Sequence, residues 1–417
     1  MRSTSEKIRG VLFRKPLKIG AVSLALRVIV VLLAYAGRDI VGMLWSRGVE
    51  TLGIAKSLVT GAGFASPFSL PTGPTAFLTP VYPITIAGIE RVFGLATPAS
   101  AWAILLMQCA FSALTCVPIY LLAAQIFDLK IATRAAWIWA FFPYAVIFPT
   151  NIIWESSLSA LLLTLGLLFF VHARNSASRA PWILLGACWG FACLVNAALL
   201  LLLPALLIFD TNRNRELWSR AALCMATLLI CLFPWSVRNY LTFHKFFPLR
   251  DNFALELWVG NHEGATIHPS SQIHPAFNTA EVQRYQQLGE IGYMAEKRAI
   301  ALHFINAHPL VFLKNTALRF LAFWLINWRS LWLLVPLLAI VGLVGLRVLL
   351  VHSHPFAWIF WIPLAIYPLP YYITHPDLKY QHPIQPLLAI LCAYALTRQR
   401  ASQPSRSSAA DFVEVGA

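Results

Sequence analysis

Long apolar runs, separated by short basic segments, dominate the chain. A run of about 18 or more apolar residues is the length that crosses a bilayer as a helix. Such runs predict spans at about 19–37, 99–127, 131–149, 156–172, 219–236, 331–350, 356–373 and 385–397. Residues 181–209 raise a question of parity. Their flanks, 172–179 and 213–220, are both short and rich in Arg, which puts both on the same side. The stretch is then a helical hairpin, about 182–196 and 198–209, turning at Asn196. This predicts an all-α polytopic integral membrane protein of about ten transmembrane helices. The segment Arg2–Lys18 carries six Lys/Arg, and the apolar run after it is too long for a cleavable signal. It reads as a basic cytoplasmic tail, 1–18, before a retained first span.

The polar stretches divide the rest. With the tail inside, residues 38–80 form a first external loop. Its first half has helical spacing, with Leu52, Ala55, Leu58 and Val59 on one face. Its second half is broken by Gly61, Gly63, Pro67, Pro71, Gly73, Pro74 and Pro80. The next run, 81–94, is too short to span and reads as an interfacial helix. Residues 19–237 make an N-terminal transmembrane module. Residues 238–330 are an external region, with a soluble amphipathic helix at Glu281–Asn306. Pro309–Trp328, with Lys314, Arg319 and Arg329 in and beside it, lies along the interface. Residues 331–397 hold the last three spans, joined on the outside by Thr374–His382. The tail 398–417 is cytoplasmic.

Composition agrees: 59% of residues are hydrophobic and 12% charged, which is a membrane composition. The net charge of +15 is the positive-inside bias, not a nucleic-acid footprint, because no basic cluster is interleaved with a soluble fold. The seven cysteines fall inside apolar runs and read as core residues. His262, His268 and His274 are spaced by six, which is not metal-ligand spacing, so no protein-bound metal is expected there. Arg27, inside the first span, must pair within the bundle or snorkel toward a lipid head group.

The candidate chemistry lies outside. Glu50 and Glu155 come from different loops that the topology puts on one face. Carboxylates so near hydrocarbon are costly unless paired or useful. One can take a proton from an attacking hydroxyl while the other supports it. The bland alternative pairs each with a cation such as Arg38, Arg47 or Arg238. Arg238, Lys379 and Arg91, with Tyr380 beside them, are donors of the kind that hold a phosphate. Tyr82, Asp251, Asn252 and His382 are candidates for substrate contact, as are Glu256 and Glu263 in the loop after Arg250.

Gly61, Gly63, Phe64, Pro67, Phe68, Pro80, Tyr82, Pro83 and Ala87 form a G-x-G-F-x-x-P-F…P-x-Y-P-x-x-x-A pattern after an acid on a juxtamembrane helix. This resembles the first external loop of the GT-C membrane glycosyltransferases, in particular the protein O-mannosyltransferase, aminoarabinose transferase and Rgt-like group. PWSVRN at 234–239 and LKYQHPIQP at 378–386 support it, and the resemblance covers about 20–397. It implies a polyprenyl-phosphate-linked sugar as donor and inversion at the anomeric carbon on the outer side of the membrane. It puts the base on Glu50, a second acid on Glu155, and lipid-phosphate contacts on Arg238 and on Lys379 with Tyr380. Two departures stand out. The first-loop acid is a lone Glu, not an Asp-Glu pair, and Lys379 replaces an Arg, losing its bidentate fork. The expected protein is an inverting glycosyltransferase of a bacterial inner membrane. Both termini are cytoplasmic and the site is periplasmic. The acceptor hydroxyl, on lipid, glycan or protein, is unassigned. No cofactor is required by this reading, which leaves room for a divalent cation. The rival from another class is a transporter or flippase of lipid-linked sugars.

Overall fold

The computed structural model describes residues 2–213, 217–267, 271–325 and 333–401. His268, Arg329, Arg406 and the tail after Ser402 lie outside them. The described residues are helical with no strand, apart from one isolated bridge between Ala65 and Pro74. In chain order the helices are α1 (Arg2–Tyr35), α2 (Ile40–Trp45), α3 (Val49–Val59), α4 (Val81–Phe93), α5 (Pro98–Leu114), α6 (Cys116–Ile126) and α7 (Leu129–Phe141). Then come α8 (Pro143–Asn151), α9 (Ser156–Arg174), α10 (Ala180–Val195), α11 (Leu202–Arg213), α12 (Trp218–Phe243) and α13 (Phe253–Gly260). The last are α14 (Thr279–Ala307), α15 (Pro309–Leu325), α16 (Leu334–Val351), α17 (Ala357–Ile366), α18 (Leu369–Ile373), α19 (Leu378–Gln381) and α20 (Gln385–Ala401).

Among the described residues, five helices are long and apolar enough to cross a membrane, or six if α7 and α8 form one bent span. That is fewer than the ten expected from the apolar runs. Pro143 bends the run at 131–149, the break at Asn196 falls where the hairpin reading puts its turn, and the apolar helices at 180–195, 197–212 and 357–373 are shorter than a full span. The bend between α7 and α8 is 43°. The hairpin reading of 181–209 has a geometric basis. Arg174 pairs with Asp210 at 2.8 Å, and Arg220 donates to the Ser176 carbonyl, so both flanks meet at one end. Asn196, at the turn, reaches Ser159 and Tyr367 near the start of α9.

Arg27 is fully buried and structural. It donates to Ser112 at 3.0 Å, to Ser23, and to the Ala140 carbonyl, so the lipid head-group alternative falls. Its donors are used where Pro143 ends the regular bonding of α7. The outer surface of the bundle is apolar, with Leu33, Ile230, Phe233 and Leu337 exposed as lipid-facing residues are.

A second core joins the first loop to α13 and α14. Ile54, Phe64, Phe68 and Phe77 of the first loop pack on Leu255, Trp258, Val282, Tyr285 and Tyr293. Arg238 fastens this loop to α12. Its guanidinium donates to the Thr75 and Phe64 carbonyls at 2.7 and 3.1 Å and lies over the Trp235 ring. The expected amphipathic helix is broken at Gly289, whose φ of 66° favours glycine. The break turns Glu290 inward, where it accepts from Ala76 N, Thr75 and Tyr285. On α15, Arg319 is buried rather than interfacial and donates to the Gly260 carbonyl.

Candidate active site

Glu50 and Glu155 meet because two loops are paired through the backbone. Ile153 N donates to the Arg47 carbonyl at 3.3 Å, and Arg47 donates to Asn151 Oδ1 at 2.7 Å. Gly48 makes the approach feasible, since a Cβ there would lie 2.7 Å from Ile153 Cβ. Two residues on, Glu50 enters the first turn of α3. Two residues past Ile153, Glu155 stands at the N-terminus of α9.

The last external loop joins the same point. Ser156 donates to the Lys379 carbonyl at 2.6 Å, and Lys379 Nζ sits 4.0 Å from the centroid of the Trp154 ring. Glu155 is buried, and burial pushes its carboxyl up to about 7, against the pull of Arg250 and Lys379; Glu50 adds to the rise. Two acids and two cations thus share one small volume.

A cavity of about 220 Å3 opens beside them. Its wall includes Asn196, Arg250, Asn252, Glu256, Tyr371, His375 and Tyr380. The rings of Tyr371 and Tyr380 stack with centroids 4.4 Å apart and 11° between planes. Burial would raise the Glu256 carboxyl, but His375, His274 and Arg250 hold it down at about 2. His274 lies over Glu50, with Nδ1 4.0 Å from Oε1. That nitrogen accepts from Ala276 N at 3.1 Å, so the proton of the neutral ring lies on Nε2. Burial lowers the His274 pKa, favouring that neutral ring. Among the described residues, no three His, Cys, Asp or Glu side chains are grouped so that they could hold a metal ion.

The family described as dolichyl-phosphate-mannose-protein mannosyltransferase matches residues 77–238, from just before α4 through most of α12. No curated protein matches the sequence. Solved structures do match the fold. The oligosaccharyltransferase of Archaeoglobus fulgidus, complexed with zinc and sulfate, superposes at a TM-score of 0.54 and 14% identity, over 92% of this chain and 49% of that one. The archaeal oligosaccharyltransferase AglB of the same organism, with an inhibitory peptide and a dolichol-phosphate, gives 0.54 and 14%, over 93% and 50%. The chain has the GT-C fold. It spans about half the length of those oligosaccharyltransferase chains. ArnT from Cupriavidus metallidurans, bound to undecaprenyl phosphate, is also similar, at a TM-score of 0.39 and 15% identity over 90% of this chain and 78% of that one.

On this GT-C scaffold the expected residues separate into three groups. Tyr380 and Asn252 line the cavity, and Glu50 and Lys379 act on the charge of Glu155 together with Arg250, which lines the cavity too. Tyr82 and Asp251 lie behind it. Tyr82 donates to Gln108 Oε1 at 2.6 Å, and the same oxygen accepts from Trp154 N, so Tyr82 supports the segment leading to Glu155. Asp251 faces Glu290, and burial together with that second carboxyl pushes it up to about 9. The third group lies elsewhere. His382 is fully buried among Trp139, Tyr144 and Phe148 and bonds Gln385, so it is a core residue and not a substrate contact. Arg238 has given its guanidinium to loop carbonyls, and Arg91 is exposed on the last turn of α4. The cation beside Lys379 at the site is Arg250, which the sequence showed only as the start of a polar loop. His375 was also missed, since a lone His before Pro376 carries no distinguishing pattern.

Proposed function

We infer that this protein is an inverting glycosyltransferase that takes a sugar from a polyprenyl-phosphate donor and passes it to an acceptor hydroxyl on the outer side of the membrane. The carrying observation is that Glu155 lies in the field of Glu50, Arg250 and Lys379, and that Arg250 also lines the cavity. Acids and cations in one place suit a reaction in which a hydroxyl loses a proton while a phosphate gains charge. Glu50 takes the proton of the acceptor hydroxyl. The hydroxyl oxygen forms a bond to the anomeric carbon from the face opposite the phosphate. The anomeric C–O bond breaks, and its electron pair leaves on the polyprenyl phosphate. Arg250 and Lys379 stabilise that charge, which is the larger electrostatic task. A phosphate leaves without needing a proton, so one carboxylate base suffices, unlike the two carboxyls of a glycosidase. Glu155, between the cations, sets how much of their charge is free for the donor.

The GT-C fold and a relative solved with dolichol-phosphate support this reading. The proposed location is the inner membrane of a bacterium, with both termini inside and the cavity facing the periplasm. A transporter of the same lipid would carry its acids at mid-depth between the spans. Here they cluster at one end of the bundle, with the external loops. The test is release of polyprenyl phosphate from candidate lipid-linked sugars by the purified protein, with Glu50→Gln as the paired variant. Loss of a general base costs about 10²- to 10⁴-fold in turnover. Full turnover by Glu50→Gln sinks the assignment of the base.

A further inference from the structure

The cavity wall contains a carboxylate that the transfer step does not use. Glu256 lines the cavity from α13, and its side chain keeps 16% of its exposure. Both of its oxygens are held by neighbours in the same wall. Arg250 Nε donates to Asn252 Oδ1 at 2.6 Å, which fixes which way the Asn252 amide points. Its NH2 group then donates to Glu256 Oε1 at 3.0 Å. On the other oxygen, His375 Nε2 donates to Oε2 at 2.9 Å. A carboxylate cannot donate, so the ring proton lies on Nε2 and the tautomer follows from the bond. The backbone of this corner is equally constrained. Gly260 abuts the Thr374 carbonyl so closely that a Cβ would lie 2.0 Å from it, and Asn261 Nδ2 donates to the Ile373 carbonyl at 2.8 Å. His375 is therefore held against α13 whether or not a ligand is present.

A carboxylate has about four lone-pair sites, and these two bonds take one on each oxygen. One acceptor site per oxygen remains, a spacing that matches two adjacent hydroxyls. Tyr371 and Tyr380, stacked on each other, line the same cavity, and the outer face of such a pair is an apolar surface that suits the C–H face of a sugar ring. The volume of about 220 Å3 lies below the roughly 300–1,000 Å3 of pockets for drug-sized ligands, so it suits one sugar ring and not two. Arg250 lines the same cavity, so a sugar bearing an ammonium group would face a guanidinium.

We propose that Glu256 reads the transferred sugar through two neighbouring hydroxyls, with Asn252 and His375 positioning it, so that the donor carries an uncharged monosaccharide with a vicinal diol. This rests on the reading of the protein as a lipid-phosphate-dependent glycosyltransferase. The experiment separates the two. Binding to the purified full chain is measured for farnesyl phosphate, which has no sugar, and for its gluco-, manno- and galacto-configured hexosyl esters. Deoxy analogues of the tightest ester complete the set. Glu256→Gln is expected to weaken the tightest hexosyl ester by roughly ten- to a hundredfold, the usual range for hydrogen bonds to a charged group, and to leave farnesyl phosphate unchanged. A deoxy analogue should bind the wild-type protein as weakly as Glu256→Gln binds the full sugar, and should lose nothing further in the variant. His375→Gln, with the carboxylate still in place, should weaken the hexosyl ester by a smaller factor. If Glu256→Gln does not fold, the deoxy series against wild type and His375→Gln decides in the same way. Unchanged affinity for the hexosyl ester, or equal loss of both probes, overturns the inference. A wild-type protein that binds neither farnesyl phosphate nor its esters overturns the lipid-phosphate reading, and this inference with it.

Discussion

Glu155 occupies a position where its own charge competes with the substrate's. Burial holds its carboxyl near 7, while Arg250 and Lys379 favour its ionised form. Below about 7 the group is protonated and both cations are free for a phosphate. Above it, the carboxylate pairs with them. A phosphodiester donor does not titrate in this window, so the change belongs to the protein. Its affinity for a polyprenyl-phosphate sugar should therefore fall as pH rises through 7, on the order of tenfold, which is ordinary for coupled sites. Titrations at pH 6 and 8 check this, and Glu155→Gln should bind equally at both. At this scale the sequence was partly legible. Glu50 and Glu155 were visible because acids are scarce and both flank apolar runs. Arg238 and His382 were misleading because a residue type and a loop position do not say where a side chain goes. Arg238 found backbone carbonyls, and His382 found three aromatic rings.

Among the elements, the joint between the first external loop and α14 decides how the site is covered. Gly289 breaks α14 and delivers Glu290 to Thr75, Ala76 and Tyr285, where it also meets Asp251 from the loop before α13. Both carboxyls are buried and both have raised pKa values, Asp251 to about 9. Arg238 and Arg250 are the cations that face this pair. For acids raised in the folded state, the stabilising contribution is complete below their unfolded values, near 4. It is lost progressively as pH rises toward 9. The melting temperature should fall across that window, and Glu290→Gln, which leaves one titrating carboxyl instead of two, should flatten the fall. A variant with the same slope as wild type would show that the joint does not carry a shared proton. None of this is visible in the sequence, where 281–306 reads as one uninterrupted amphipathic helix and Glu290 as one more solvated acid.

Across the whole molecule, the site residues and the Arg-rich flanks segregate to opposite ends of the bundle. Arg174, Asp210 and Arg220 meet at one end, and Asn196, Glu155 and Lys379 are at the other. The proposed orientation makes a direct prediction. In intact bacteria whose outer membrane has been removed, a membrane-impermeant thiol reagent should modify Ser69→Cys, at an exposed position of the first loop, and leave the exposed Asn175→Cys unmodified. The native cysteines all lie in helices, and none is exposed, so the background should be low. The reverse pattern would turn the site toward the cytoplasm and remove the outer-face reading.

Hydropathy and the distribution of Arg by themselves determined that this is an all-α membrane protein, and they placed the hairpin turn at Asn196. Both are local properties of length, composition and charge, set by the bilayer and not by any one contact. The Gly/Pro pattern of the first loop likewise marked where helix must stop. What only the tertiary structure decided is which runs are broken before they can span, and which polar side chains share a volume. Arg250, Glu256 of α13 and His375, 119 residues after Glu256, converge through a chain of bonds and a glycine contact that no spacing encodes. The stretch from Gly48 to Pro83 shows both sides. Its helix and its breaks are written locally, but Glu50 joins Glu155 only because Gly48 lets two backbones meet.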